Sequence, residues 1–362
     1  MIDQITVYVE KKIHGFTMFI PRNTPGVSAA LRTPLFFRKW HREAEFMDII
    51  LENFKQEDLF CEIGSNIGYV TLYILSMFQT PNPLLCIEPD ERSRLALMKS
   101  MKSNDLDKFV TLVPGVIANK TGQVKLYLSR KPNLNSILEA GNKDKPFILV
   151  NSYTFDDFLT NFSEKRPTFI KMDIEGAEID VFEGMKGYLT SPGVSKILME
   201  LHPNIYINDE ERFRSSFQSL FENGYKLRYL SSAGTYETDI FSKLGYSPKR
   251  KYNDGMWRRA LYENVSRDHF FQLALNTKFR RFKLGEINWW VNPIKALRSN
   301  LGSNKLIRTA FFEKTMAIIF GTFQLHELKE AIFFRTCFNK QKENIMLASE
   351  EMQFVKMCLD II

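Results

Sequence analysis

The feature that most constrains this chain is the stretch Leu59–Tyr69, LFCEIGSNIGY. An apolar run breaks at Glu62, Gly64, Ser65, Asn66 and Gly68, and a second apolar run, Val70 to Phe78, follows at once. A buried run that ends in closely spaced glycines and then takes up helical spacing predicts strand, tight turn, helix. Glycine suits that turn because the backbone must reverse sharply and come close to a ligand that any Cβ would push away. The spacing Glu-x-Gly-x-x-x-Gly is neither the dinucleotide fingerprint Gly-x-Gly-x-x-Gly nor the phosphate loop ending in Gly-Lys-Ser/Thr. It therefore points to a nucleoside-type ligand and not to a pyrophosphate.

A glycine turn can be purely structural, so a second feature has to agree with it. Leu84-Leu85-Cys86-Ile87 is another apolar run, and it ends in Glu88-Pro89-Asp90. An acidic residue at the end of the second strand, one strand–helix unit after the glycines, is placed to accept both hydroxyls of a ribose. The two features together imply a nucleoside cofactor.

At 362 residues the chain has room for one α/β domain with extensions. Alternation in Ile5–Val9 and Phe16–Ile20 predicts a β-hairpin, and Pro21, Pro25 and Gly26 an irregular linker. Glu43 to Phe54 reads as an amphipathic helix with Phe46, Ile49, Ile50 and Phe54 on one side. Beyond Glu88 the pattern predicts a helix over Glu91–Lys102 with Leu95, Met98 and Met101 inward, then a strand at Val110–Val113. Val124–Leu128 and Phe147–Tyr153 are expected to pair, with Asn133 to Ser136 reaching the cleft between them. Thr168–Met172 and Lys196–Met199 read as two more buried strands, ending in Asp173-Ile174-Glu175-Gly176-Ala177-Glu178 and Glu200-Leu201-His202. Tyr225–Leu230 and Arg259–Val265 are a last strand pair around a mobile excursion, Ser231 to Met256. From Asp268 onward the pattern is helical, including Ile345–Leu359.

Alternating strands and helices imply a mostly parallel sheet, whose ligands sit at the carboxyl ends of its strands. The polar clusters all fall there, so one crevice can collect them. No signal-peptide pattern opens the chain and no stretch reaches the length of a membrane span, so a cytoplasmic protein without a transmembrane segment is expected. Cys61, Cys86, Cys337 and Cys358 have no metal-like spacing and read as free thiols of a reducing compartment. Between Phe241 and Ala310, fifteen Lys or Arg stand against four Asp or Glu. That belt is a solvated surface or a face for an anionic partner.

FCEIGSNIGYVTL, CIEPD and FIKMDIEGAEIDVFEGM followed by ILMELH resemble the FkbM family of S-adenosylmethionine-dependent methyltransferases. The resemblance runs from about Glu43 to His202 and more weakly to about Ala274. Glu62 and Ser65 stand where the family commonly has Asp and Ala. It implies the class I methyltransferase (Rossmann-like) fold, an α/β architecture with a mostly parallel seven-stranded sheet. Three parts are expected: an N-terminal β-hairpin extension over 1–42, the methyltransferase domain over 43–275, and a helical C-terminal extension over 276–362.

The resemblance also implies O-methyl transfer from S-adenosyl-L-methionine to a hydroxyl of a sugar, a glycan or glycolipid, or a secondary metabolite. Glu62, Gly64, Asn66, Gly68 and Tyr69 would line the methionine part of the cofactor, Glu88 the ribose, and Asn104, Val116 and Ala118 the adenine. Asp173, Glu175, Glu200 and His202 are the candidate catalytic groups. Asp173 would orient or deprotonate the acceptor, and His202 has the ordinary pKa best suited to a general base. Asp173, Glu200 and His202 could together bind a divalent ion, but the Asp-Asp-Asn pattern of metal-dependent small-molecule O-methyltransferases is not evident, and no metal is expected. Two alternatives stand beside this reading. An RNA ribose 2′-O-methyltransferase would use the basic belt on phosphates, and a cofactor-binding module would recruit a partner through its C-terminal region. A homo-oligomer is compatible with either.

Overall fold

The computed structural model describes residues 7–22, 24, 31, 43–78, 82–139, 142–163, 165–190, 196–202, 206, 209–232, 239–253, 258–275 and 355–361. The chain opens on the expected hairpin, β1 (Tyr8–Ile13) and β2 (Phe16–Pro21), turning at His14-Gly15. Helix α1 (Ala44–Asn53) then buries Phe46, Ile49 and Ile50, as its spacing predicts, and leads into β3 (Phe60–Ile63). The glycine turn delivers α2 (Tyr69–Met77), followed by β4 (Leu84–Ile87), α3 (Glu91–Ser103) and β5 (Val110–Val113). A separate three-stranded sheet holds β6 (Val116–Ile117), β7 (Gly122–Tyr127) and β8 (Phe147–Tyr153), with β7 and β8 paired antiparallel as expected.

The chain returns through α4 (Phe155–Phe162) to β9 (Phe169–Met172), α5 (Glu178–Gly184), α6 (Lys186–Leu189) and β10 (Lys196–Leu201). Helix α7 (Glu210–Glu222), β11 (Tyr225–Ser232), α8 (Asp239–Lys243), β12 (Arg250–Asn253), β13 (Arg258–Glu263), α9 (Arg267–Ala274) and β14 (Val355–Ile361) complete it.

The main sheet has the order β12-β13-β11-β14-β10-β9-β3-β4-β5. Strands β10, β9, β3, β4 and β5 form a continuous parallel run, which is the Rossmann-like part. The sheet thus has nine strands where seven were expected, for two reasons. Residues 250–253, inside the expected mobile excursion, pair with β13 at the edge. Residues 355–361, expected to be helical, form an antiparallel strand between β10 and β11. Val355, Met357, Leu359 and Ile361 recur with period two, and that strand signal outweighs the helical reading. Residues 276–354 of the expected helical extension lie outside the described residues.

Each face of the parallel run carries its own core. Cys61, Ile63, Ile170, Met172, Ile197 and Met199 pack with residues of α4, α5, α7 and α9. Phe60, Phe169 and Leu198 pack on the other side with α1, α2 and the hairpin. Helix α3 buries Met101 as expected, but with Ala96 and Leu97 beside it, while Leu95 and Met98 are exposed. Its inner face meets both the glycine turn and the hairpin, where Phe19 N–H donates to Ser100 Oγ at 2.9 Å. Among the described residues no helix is long and apolar enough to cross a membrane, and Cys61 and Cys86 are buried free thiols.

Candidate active site

The turn after β3 is held open by backbone conformation. Gly64, Asn66 and Gly68 have φ of 81°, 49° and 83°, a left-handed region that costs a β-carbon-bearing residue energy. A Cβ on Gly64 would stand 2.2 Å from the carbonyl oxygen of Asp173, and one on Gly68 2.1 Å from Leu97 Cδ1. The first glycine therefore lets the turn lie directly on the end of β9, and the second lets α3 close against it. Both glycines are demanded by protein packing before any ligand is considered.

Glu88 stands at the carboxyl end of β4, beside that turn. Its carboxylate accepts the Asn66 N–H at 2.7 Å and the Asp90 N–H at 2.8 Å. Burial pushes its pKa up to about 7, against the two backbone donors, which favour the charged form. Asp90 caps α3 through Ser93 N–H and accepts Asn135 Nδ2 at 3.1 Å. Ser136 Oγ donates to the Glu175 carbonyl at 3.2 Å. The loop at 133–136 thus reaches the crevice, as its position between β7 and β8 predicts.

Three expected cofactor residues are engaged elsewhere. Glu62 is 1% exposed, and its carboxylate takes Thr71 Oγ1 at 2.5 Å and Lys171 Nζ at 3.1 Å. It supports the turn from below and does not line it. Asn104 spends its amide on the hairpin, accepting Thr17 N–H at 2.9 Å and donating to Thr17 O at 2.8 Å. Tyr69 is buried with its hydroxyl 3.1 Å from His14 Nε2. Val116 and Ala118 sit buried on and beside β6, where Ala118 N–H donates to Tyr153 O at 2.9 Å.

At the ends of β9 and β10, charge dominates. Lys171 is 3% exposed and lies between Glu62 and Asp173, 4.0 Å from the latter's carboxylate. Burial alone would lower its pKa, but the carboxylates of Glu62 and Asp173 outweigh that and hold it charged. Asp173 is the more open of the pair, at 26%. His202 is buried, with Nδ1 2.8 Å from Glu178 Oε1 and Nε2 3.3 Å from Glu175 Oε2. Burial pulls its pKa down and the two carboxylates pull it further up, well above the ordinary value. Both ring nitrogens thus face carboxylates, Nδ1 that of Glu178 and Nε2 that of Glu175.

Glu178 is fully buried and structural: it accepts the Gly176 N–H at 3.0 Å and the Tyr206 hydroxyl at 2.8 Å. The Tyr206 hydroxyl also lies against the Gly176 carbonyl. Glu200 is buried on β10, one position past the Met199–Met172 pair, and is not among the groups that converge with Asp173. Sequence reasoning missed Tyr206, whereas the i, i+2 spacing of Lys171 and Asp173 predicts that both share a face, with Lys171 the deeper.

Residues 62–227 match the family model described as the methyltransferase FkbM domain. The matched stretch is less than half of the chain, and over it the chain is similar to that domain. The match begins at the carboxylate under the glycine turn and ends in β11, so it contains every group described above except those of the hairpin. No curated protein matches the sequence. Among solved structures, a methyltransferase FkbM from Methylobacillus flagellatus KT is 18% identical, with 58% of this chain and 44% of that chain covered and a TM-score of 0.34. The chain thus spans less than half the length of that FkbM protein. A precorrin-6y C5,15-methyltransferase from Geobacter metallireducens GS-15 is 12% identical over 63% of this chain and 92% of that one, at a TM-score of 0.34. M. jannaschii TYW2 in complex with AdoMet is 13% identical over 73% and 90%, at 0.32. Likenesses this distant carry no argument, and the similarity to the FkbM domain rests on the family model.

Proposed function

We propose that this chain transfers a methyl group from S-adenosyl-L-methionine to a hydroxyl of a sugar, a glycan or glycolipid, or a secondary metabolite. One observation carries the reading: the glycine turn and Asp173 are in contact, with Gly64 seated on the Asp173 carbonyl. A cofactor lying on that turn would present its reactive end to the carboxylate of Asp173. The donor chemistry fits as well, since Glu88 is a carboxylate held rigidly beside the turn at the height of a ribose.

S-adenosyl-L-methionine supplies, when bound, a methyl carbon on a sulfonium that departs as a neutral thioether. The rest is the protein's task. Gly64, Asn66 and Gly68 let the backbone approach the cofactor's methionine portion, and Glu88 accepts the ribose hydroxyls. Val116 and Ala118 would border the adenine. Asp173 orients the acceptor hydroxyl and takes its proton, with Lys171 Nζ 4.0 Å from its carboxylate. Glu175, Glu178 and His202 form the neighbouring wall of the crevice. The buried free thiols suit a reducing compartment, and we place the enzyme in the cytoplasm.

Thermal unfolding with and without S-adenosylmethionine tests the reading. At about a hundred times its dissociation constant the ligand should add roughly 2.7 kcal/mol of stability, and Glu88→Ala should remove most of the gain. Transfer of labelled methyl to a glycan or small-molecule panel then identifies the acceptor. A folded protein whose stability no cofactor concentration changes would sink the proposal.

A further inference from the structure

Asp173, Glu175 and His202 each offer one ligand atom, and these atoms lie within 4.8 Å of one another. Carboxylates alone would say little, and the histidine makes the difference. His202 comes from the end of a different strand and is buried. Its Nδ1 is fixed at 2.8 Å by Glu178, which Tyr206 and the Gly176 N–H hold in turn. A ligating imidazole has its second nitrogen held by a carboxylate in this way, which sets the tautomer and aims Nε2 at the ion.

The spacing agrees. His202 Nε2 and Glu175 Oε2 are 3.3 Å apart, longer than the ~2.7–2.9 Å of a charge-assisted hydrogen bond. It is close to the roughly 3.0–3.4 Å between adjacent ligands around an ion with bonds of about 2.1 Å. Charge balance is a separate observation. Among the described residues, three carboxylates, from Asp173, Glu175 and Glu178, gather round the imidazole, and Lys171 is bonded to Glu62 and reaches Asp173 only at 4.0 Å. Such a surplus of negative charge favours a cation.

We propose that Asp173, Glu175 and His202 form a divalent-cation site, supported from behind by Glu178 and Tyr206. Two carboxylate oxygens and one imidazole suit Mn2+ or Mg2+ with the remaining positions open to oxygen ligands. Glu200, the third ligand in the set weighed from sequence, has no part in it; Glu175 takes its place. An ion here would bind an acceptor hydroxyl next to the glycine turn and lower its pKa. That use rests on the methyltransferase reading, whereas the binding of the ion does not.

Mn2+ titrated into the full chain and followed by electron paramagnetic resonance tests the site without any acceptor. One equivalent should bind at about 0.1 mM or tighter, within the range of carboxylate sites, with nitrogen modulation from one imidazole. His202→Gln should abolish that modulation, Asp173→Asn should weaken binding at least tenfold, and Glu178→Gln about 10–100-fold. Asp173 is partly exposed and its variant nearly isosteric, so the test survives if the His202 variant fails to fold. Absence of a bound equivalent, or binding that Asp173→Asn and Glu178→Gln leave unchanged, overturns the proposal. Titration of S-adenosylmethionine into the same sample separates the two ideas. Cofactor binding without Mn2+ binding removes only the cation site, and Mn2+ binding without cofactor binding removes only the methyltransferase reading.

Discussion

At the β3–β4 end of the crevice, position is set by backbone: three left-handed residues, a carbonyl under Gly64, and two main-chain N–H groups on Glu88. At the β9–β10 end it is set by side-chain charge, with Lys171 shared by two carboxylates and His202 held between two more. A backbone-built site is rigid and tolerates no added atoms. A charge-built site tolerates changes of shape but not of charge, because an ion left unpaired in a low-dielectric interior is costly. The two ends should therefore fail under different substitutions.

The largest effect is expected at the buried Glu62–Lys171 pair. Lys171→Met strands the Glu62 carboxylate and should cost about 3–5 kcal/mol in urea unfolding. Adding Glu62→Gln removes the stranded charge and should restore much of that loss. Equal instability of single and double variants would mean that shape, not charge, governs this end. Next comes the backbone end. Gly64→Ala places a methyl on the Asp173 carbonyl at a positive φ and should cost about 2–4 kcal/mol. Gly15→Ala, at φ 86° but with nothing within 4 Å, should cost only about 1 kcal/mol. If the two alanines were equivalent, the contact between turn and β9 would not be tight.

These contrasts also mark what was legible in the sequence. The turn, the place of Glu88 beside it and the convergence of Asp173 with Glu175 and His202 follow from motif and strand ends, which are local. Local pattern does not say which way a side chain leaves its strand. Glu62 precedes the turn and looks like a ligand, yet its partner Lys171 lies more than a hundred residues away and draws it beneath the sheet's end. Asn104 sits beside the crevice in sequence but is claimed by a hairpin eighty-seven residues earlier. The strand at Val355–Ile361 had a readable period, obscured by a helical reading of everything around it. His202 has the residue type of a base, and only the fold puts two carboxylates on it.

A smaller effect separates the ends by pH. With its pKa near 7, Glu88 is largely protonated below neutrality, and a protonated carboxyl accepts ribose hydroxyls poorly. Affinity for S-adenosylmethionine should fall up to tenfold per pH unit below about 7, roughly 1.4 kcal/mol each. The ligand-free protein should respond oppositely. A carboxylate whose folded pKa lies above its ordinary 4.5 favours the folded state more as pH falls from 7 toward that value, so this group makes stability rise on acidification. Calorimetric titration between pH 5.5 and 8.5 reads the first trend and denaturant unfolding the second. Glu88→Gln should flatten both.

The smallest effect lies outside the crevice and decides how far the backbone-built end extends. The Asn104 amide replaces a strand partner for Thr17, satisfying its N–H and its carbonyl at once. Asn104→Ala removes both bonds, and with them the one Nδ2 donates to Ser100 O at 2.6 Å, and should cost about 1–2 kcal/mol, the usual loss for hydrogen bonds partly open to water. Hydrogen exchange at the Thr17 amide should quicken about tenfold, the equivalent of 1.4 kcal/mol, while exchange in β3 and β4 stays unchanged. Asn104→Asp keeps the acceptor for Thr17 N–H but loses the donor to its carbonyl, so it should fall between. In both variants affinity for S-adenosylmethionine should hold within about twofold, because the amide is committed to the hairpin. A tenfold loss of affinity with hairpin exchange unaltered would return Asn104 to the adenine side, and the crevice would then be shaped by side chains at both ends.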